Sequence, residues 1–286
     1  MNEPLPALVS TAWLGERLGH PRLRVLDTSW YLPAAGRDPV AEYVAGHIPG
    51  ALFFDLDANS DPSTDLPHML PAADAFAERM GAIGVGDEDD VVVYDGSGSN
   101  LSAARAWWMF HVFGHDRVAV LDGGMRRWQD EGRPLEPGRV ALPPARFRAR
   151  FRSEQVRTLD QVQEASRSGA EQIVDARPAG RFAGRDPEPR PGLRGGHIPG
   201  SRSVPSTSLV DEHGLLLPPD ELRRRLEDAG VDPGRPVVAT CGSGTSACAV
   251  LFALHLLGAR GTALYDGSWS EWGRRTDVPV ATGEAQ

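Results

Sequence analysis

Residues 237–250 read VVATCGSGTSACAV: a β-branched run, a cysteine, five small residues and the start of an apolar helical pattern. The short continuous apolar run predicts a strand buried on both faces. SACAVLFALHLLG predicts the helix that follows, stopping at Gly258, and TALYD the next strand. A strand–loop–helix–strand unit predicts an open α/β sheet covered by helices, with the reactive site off the carboxyl ends of the strands. Cys241 stands at such an end.

The phrase occurs twice. Residues 91–103, VVVYDGSGSNLSA, repeat it with Asp95 in place of the cysteine, and the helix SAARAWWMFHVFG ends at Gly114 before the strand VAVLD. Three further boxes recur in the same order. RVLDTSW (24–30), GHIPGA (46–51) and LDGGMRRW (121–128) match QIVDARP (172–178), GHIPGS (196–201) and YDGSWSEW (265–272). His47 precedes Asp95 by 48 positions and His197 precedes Cys241 by 44; Asp122 follows Asp95 by 27 and Asp266 follows Cys241 by 25. Two large copies mean a duplicated domain and not a solenoid. The expected organisation is α/β: a first domain over 1–135, a linker over 136–158 and a second domain over 159–286. Each domain is expected to be an open, mostly parallel sheet flanked by helices. The linker region includes EGRPLEPGRVALPPARFRARF (131–151), rich in proline and arginine and without periodicity, and it predicts extended chain on the surface.

Composition narrows the function. The 286 residues exceed a usual single domain, and 41% hydrophobic with 24% charged residues is the composition of a globular protein. No apolar run is long enough to span a bilayer, and the N-terminus lacks the basic start and apolar stretch of a signal peptide. Membrane and export are therefore not expected, and the cytoplasm is the expected location. A formal net charge of −9 argues against nucleic acid as a partner. The chain has no lysine, so all 30 basic residues are arginines, which excludes a Schiff-base lysine and the lysine of a P-loop. Two cysteines, Cys241 and Cys248, are too few for a disulfide framework or a four-thiolate zinc site, and neither a metal nor a cofactor is expected.

The loop from Cys241 to Ser246 has its own chemistry. Its glycines let successive N–H groups turn inward at a helix N-terminus, forming an anion-binding nest. A sulfur lying in that nest is favoured as thiolate without an adjacent base. A free cysteine is more often a small buried hydrophobe, and that reading is kept for Cys248, inside the apolar helix. For Cys241 the run of small polar neighbours favours the nucleophile. A cysteine phosphatase needs an arginine closing the loop, and Gly242 through Ala247 contain none.

The duplicated GHIPG box, the DGG/DGS-x-x-x-W box and the C-G-S-G-x-[ST] loop resemble the tandem rhodanese-domain sulfurtransferases, specifically the 3-mercaptopyruvate branch, from about residue 10 to 275. The resemblance implies two rhodanese-like domains, the first without its cysteine, so Asp95 is given no catalytic role. It implies that the thiolate of Cys241 takes sulfur from 3-mercaptopyruvate, releases pyruvate and holds a persulfide. An acceptor thiol, such as thioredoxin or a low-molecular-weight thiol, or cyanide then removes the sulfur. Gly242, Gly244, Thr245 and Ser246 line the loop that holds the reacting group. Arg181 and Arg190 match the arginines that hold the donor's carboxylate and keto oxygen, a planar target suited to a guanidinium fork. Arg185 and Arg194 have no such match and are expected at the surface.

A proton relay of the family implies Ser243, with His47 of the first GHIPG box and Asp38 as its partners. The box's presence in both copies, with one reactive cysteine, equally fits a folding role for His47 and His197. Asp175 and Asp266 are expected to support the loop, and Trp269 and Trp272 to pack the core. Thr245 and Ser246 replace the family's usual valine and threonine. A thiosulfate sulfurtransferase is the nearest alternative, although that branch carries charged side chains straight after the cysteine where Gly242 and Ser243 are neutral. A non-catalytic rhodanese-like binding module is the third reading.

Overall fold

The computed structural model describes residues 4–284, which pack into two compact units. The first takes the chain up to Ser60, then Leu70–Phe151 and Glu212–Leu216. The second takes Asp61–Met69, Arg152–Asp211 and the chain from Leu217 onward.

In the first unit the strands are β1 (Leu8–Val9), β2 (Leu23–Asp27), β3 (Leu52–Phe53), β4 (Asp90–Tyr94) and β5 (Val118–Leu121). Its helices are α1 (Thr11–Gly15), α2 (Pro39–Ala45), α3 (Ala73–Ala82), α4 (Leu101–Val112) and α5 (Gly124–Asp130). In the second unit the strands are β6 (Val156–Arg157), β7 (Gln172–Asp175), β8 (Arg202–Ser203), β9 (Val237–Thr240) and β10 (Thr262–Tyr265). Its helices are α6 (Leu159–Ser168), α7 (Ala179–Phe182), α8 (Pro219–Asp228), α9 (Ala247–Leu256) and α10 (Ser268–Trp272).

The two sheets have one topology. Strand orders β1-β5-β4-β2-β3 and β6-β10-β9-β7-β8 superpose position for position, and every strand pair is parallel. The central strands β4 and β9 are buried along their whole length, which is why DVVVY and VVAT read as unbroken apolar runs. Helix α9 is buried from Ala247 to Leu254, so it too is apolar all round, and Gly258 beyond it turns through φ +74°. Surface helices look different. α8, PDELRRRLED, buries only Leu222 and Leu226, four positions apart on one face. α6 opens on a capping box between Thr158 and Gln161.

The GHIPG boxes do the same structural work in each copy. Ile48 and Ile198 enter the two cores, alongside Trp128 in one and Trp269 and Trp272 in the other. His47 stacks on Tyr43 with ring centroids 4.1 Å apart, its Nδ1 2.9 Å from the Tyr43 carbonyl oxygen. His197 stacks on Phe182 at 3.7 Å, with Nδ1 2.9 Å from the Phe182 carbonyl oxygen. Each histidine backbone also forms an antiparallel bridge, to Glu136 and to Ala281. The box is a clasp that closes each domain.

Residues 141–150 run extended, and their backbone is bonded to the first unit. The Ala145 amide donates to Gly81 O, the Asp87 amide to Arg146 O and the Arg150 amide to Phe113 O. Phe147 is buried there among Phe76, Phe110 and His115. Irregular chain satisfies its polar groups this way when it lies on a domain.

Candidate active site

The site lies in the second unit, off the carboxyl end of β9. Cys241 is the first residue past the strand and is buried, 2% exposed. Its backbone is held at both its amide and its carbonyl. The Cys241 amide donates to Ser268 Oγ (3.2 Å), and the Trp269 amide donates to Cys241 O (2.9 Å). One residue further, Gly242 O accepts from the Ser270 amide (2.9 Å) and from Ser270 Oγ (2.7 Å). The short helix α10, written DGSWSEW in sequence, thus fastens the start of the loop.

Beyond that anchor the loop turns. Gly244 takes φ +76°, a conformation open to glycine, and Ser246 enters α9 without any side-chain cap. Among the described residues no backbone carbonyl accepts from the amides of Gly242, Ser243, Thr245 or Ser246. Those donors lie in the loop that leads into the N-terminus of the buried helix α9, the setting in which an anion is stabilised by amides and dipole together. The loop residues Gly242, Gly244, Thr245 and Ser246 are therefore brought together with Cys241.

Two arginines cover Gly242. A methyl group placed on its Cα would stand 3.1 Å from Arg181 Nη2 and 3.8 Å from Arg190 Nη1. The structure thus gathers Arg181 and Arg190 over the loop, and the position after the cysteine must be small because guanidinium groups occupy the space a side chain would need. Arg181 is held by a buried chain of charges. Its Nε and Nη2 donate to Glu188 Oε2 (3.2 and 2.5 Å), while Glu188 Oε1 accepts from Arg177 Nη1 (2.7 Å). Arg177 in turn donates to both oxygens of Asp175, and its guanidinium lies 4.3 Å from the Trp269 ring centroid. Arg177, Asp175 and Glu188 side chains are no more than 2% exposed.

Several expectations change here. Ser243 Oγ lies 3.0 Å from Nδ1 of His68, and the same nitrogen lies 3.1 Å from Thr245 Oγ1. His68, not His47, is the histidine at Ser243. It is buried in residues 61–69, takes φ +62°, and sits in a loop closed by the Asp61 amide on Met69 O and by Arg274 on Asp65. His47 belongs to its domain clasp, with its ring fully buried against Tyr43. Asp38 is the N-cap of α2, its Oδ1 accepting from the amides of Val40 and Ala41. Asp175 bonds Arg177 and not the loop backbone; the hydroxyls and amides of 268–270 support the loop instead. Arg185 is an exposed partner of Glu284, but Arg194 staples the carbonyls of Trp272, Gly273 and Val278. Cys248 is fully buried in α9, its thiol directed at Gly244 O (3.1 Å).

His68, Glu188, Arg177 and Ser268 were not singled out from sequence. A lone histidine in DLPHML carries no motif, and its partners lie 175 and 177 positions away. Glu188 lies inside PEPR, two positions before Arg190, and carries no motif of its own.

The first unit shows the same loop shut. Asp95 Oδ1 accepts from the Ser97 amide, and Oδ2 accepts from Ser102 Oγ and the Ala103 amide. The carboxylate thus bonds one amide of its own loop and two donors in the first turn of α4.

Fold and loop define a protein built from two rhodanese-like domains, one with a cysteine in the nest. The rhodanese-like domain model matches residues 10–131 and 158–275, and the chain belongs to that family. It is 46% identical over 271 residues to human 3-mercaptopyruvate sulfurtransferase, covering 93% of this chain and 91% of the relative. It is 43% identical over 299 residues to thiosulfate/3-mercaptopyruvate sulfurtransferase 1, mitochondrial, of Arabidopsis thaliana, covering 97% and 79%. Among solved structures, the 3-mercaptopyruvate sulfotransferase SseA from Escherichia coli aligns with TM-score 0.85 and 43% identity, over 93% of this chain and 99% of that one.

Proposed function

We propose that this protein is a 3-mercaptopyruvate sulfurtransferase that works through a persulfide on Cys241. The observation that carries the reading is the pairing of a buried cysteine in an amide nest with two arginines over the adjacent Gly242. One feature suits a sulfur anion; the other suits a donor bearing a carboxylate.

In this reading Arg181 and Arg190 hold the carboxylate and keto oxygen of the donor, and the Cys241 thiolate attacks the donor's sulfur. The S–S bond forms as the C–S bond breaks, and the electron pair leaves on carbon as the enolate of pyruvate. The arginines that bound the ketone stabilise the enolate oxygen. The proton carried on the transferred sulfur passes to the enolate carbon, giving pyruvate and a persulfide anion. Ser243, backed by His68, is the hydroxyl placed to pass that proton. The loop amides then hold the persulfide as they held the thiolate, until a thiol acceptor such as thioredoxin, a low-molecular-weight thiol or cyanide attacks the outer sulfur. Splitting the transfer in two predicts ping-pong kinetics.

A relative named for both donors keeps thiosulfate as the second reading. The test compares the two donors with cyanide as acceptor. Wild type should use mercaptopyruvate with the higher kcat/KM; a preference for thiosulfate removes the reading while leaving the family. Arg181→Ala and Arg190→Ala should each lower kcat/KM for mercaptopyruvate about ten- to a hundredfold, the effect of losing a charge-assisted hydrogen bond. Unchanged constants in both would return these arginines to the surface. None of the described helices is long and apolar enough to cross a membrane, and we place the enzyme in the cytoplasm, consistent with its two unbridged thiols.

A further inference from the structure

We propose that Glu188 sets the choice of sulfur donor by neutralising and orienting Arg181 above the cysteine loop. The inference rests on the mercaptopyruvate reading and adds to it a residue that touches no reacting atom: a positioning residue that selects by charge.

The geometry is a chain of four buried or half-buried charges. Asp175 binds Arg177 through Nε and Nη2; Glu188 takes Nη1 of Arg177 on one oxygen and Nε and Nη2 of Arg181 on the other. Two carboxylates and two guanidinium groups cancel, so this chain presents no net charge to the loop beside it. It does present a direction. With Nε and Nη2 both on Glu188, the Arg181 fork is fixed in its plane, and Nη2 stands 3.1 Å from where a Gly242 Cβ would be. A planar carboxylate or keto oxygen profits from an oriented donor, since hydrogen bonds to a fixed fork lose little entropy on forming. A compact dianion profits mainly from net positive charge, because its Coulomb energy scales with its own doubled charge. Glu188 supplies the first and withholds the second.

Asp175 would still pair Arg177 if the charge of Glu188 were removed, and a glutamine keeps the shape and one acceptor oxygen. Glu188→Gln should therefore fold and gain one positive charge beside the loop. The expected result is opposite movement of the two donors: KM for mercaptopyruvate rises, KM for thiosulfate falls, kcat changes less than either. Their kcat/KM ratio should shift toward thiosulfate by on the order of tenfold. Glu188→Asp, which keeps the charge on a shorter arm, should stay nearer the wild-type ratio even where its rates fall. Equal loss for both donors in Glu188→Gln is what a merely structural residue would produce, and it would overturn the proposal. Should the glutamine variant not fold, Glu188→Asp supplies the check: with the charge kept, its kcat/KM ratio should stay near the wild-type value, and a ratio moved about tenfold toward thiosulfate overturns the proposal. The two readings fail separately: the wild-type donor preference judges the function, and the shift between variant and wild type judges Glu188.

Discussion

Cys241 and Cys248 lie seven positions apart with opposite surroundings. Cys241 opens a loop in which, among the described residues, the amides of Gly242, Ser243, Thr245 and Ser246 meet no backbone carbonyl; Cys248 is inside a helix with its thiol on Gly244 O. Burial is equal, so exposure alone does not separate them. What separates them is position: Cys241 opens the turn at the carboxyl end of β9, while Cys248 lies inside α9. Cys241→Ser should abolish sulfur transfer, and Cys248→Ser should retain most of it. Mass spectrometry after donor treatment should find one added sulfur on the peptide carrying Cys241; sulfur on Cys248 alone would end the assignment. Most of this was legible in the residues themselves, because a strand, a cysteine and a glycine-rich turn are local. The assignment of His47 to Ser243 was not, since a ring's neighbours are set by the fold, and His68 reaches Ser243 across 175 positions.

At the scale of elements, the reactive loop depends on a helix of five residues. Ser268 opens α10 at φ +49°, unusual for a residue with a side chain, while its hydroxyl accepts from the Cys241 amide and donates to Tyr265 O (2.8 Å). The strain is tolerated because two buried hydrogen bonds require it. Ser268→Ala removes both bonds and keeps the strain, so it should cost about 1–3 kcal/mol in urea unfolding and lower sulfur transfer. Ser268→Gly removes the same bonds but relieves the backbone, and should be the milder by about 1 kcal/mol. Equal stability of wild type and both variants would show that the contact does not support the loop. The DGS-x-x-x-W box is legible as a repeat, and Trp269 and Trp272 lie in the core as its pattern predicts. Its second task, gripping the backbone of Cys241 and Gly242, depends on β9 and β10 lying side by side.

On the scale of the molecule, each unit buries a histidine whose titration opposes folding in acid. Burial depresses His115 in the first unit and His197 in the second below the usual 6.5. With the folded-state values lowered, the unfolded chain binds more protons between those values and about 6.5. Stability is then present above that range and is lost as pH falls through it. Urea midpoints should drop as pH falls below about 6.5, and His197→Asn should flatten that slope; a midpoint that rises on acidification would refute the assignment. The two copies of the loop differ at the position of Cys241, where the first has Asp95. In the first copy the carboxylate of Asp95 takes the Ser97 and Ala103 amides and the Ser102 hydroxyl, tying the loop to the start of α4.

By itself the sequence determined the duplicated α/β architecture, the parallel strands, the apolar helices α4 and α9 and the place of Cys241 at the carboxyl end of a central strand. Each of these is written in periodicity, in local turn chemistry or in a phrase repeated at matching spacing, and such signals need only neighbours along the chain. Tertiary structure alone decided which histidine meets Ser243, that Asp38 caps a helix, that the GHIPG histidines are clasps, and that Glu188 bridges Arg177 and Arg181. Those are questions of which side chains share a volume. Parallel strands joined by crossovers bring together residues far apart in sequence, and hydrogen bonds between such residues leave no period to read.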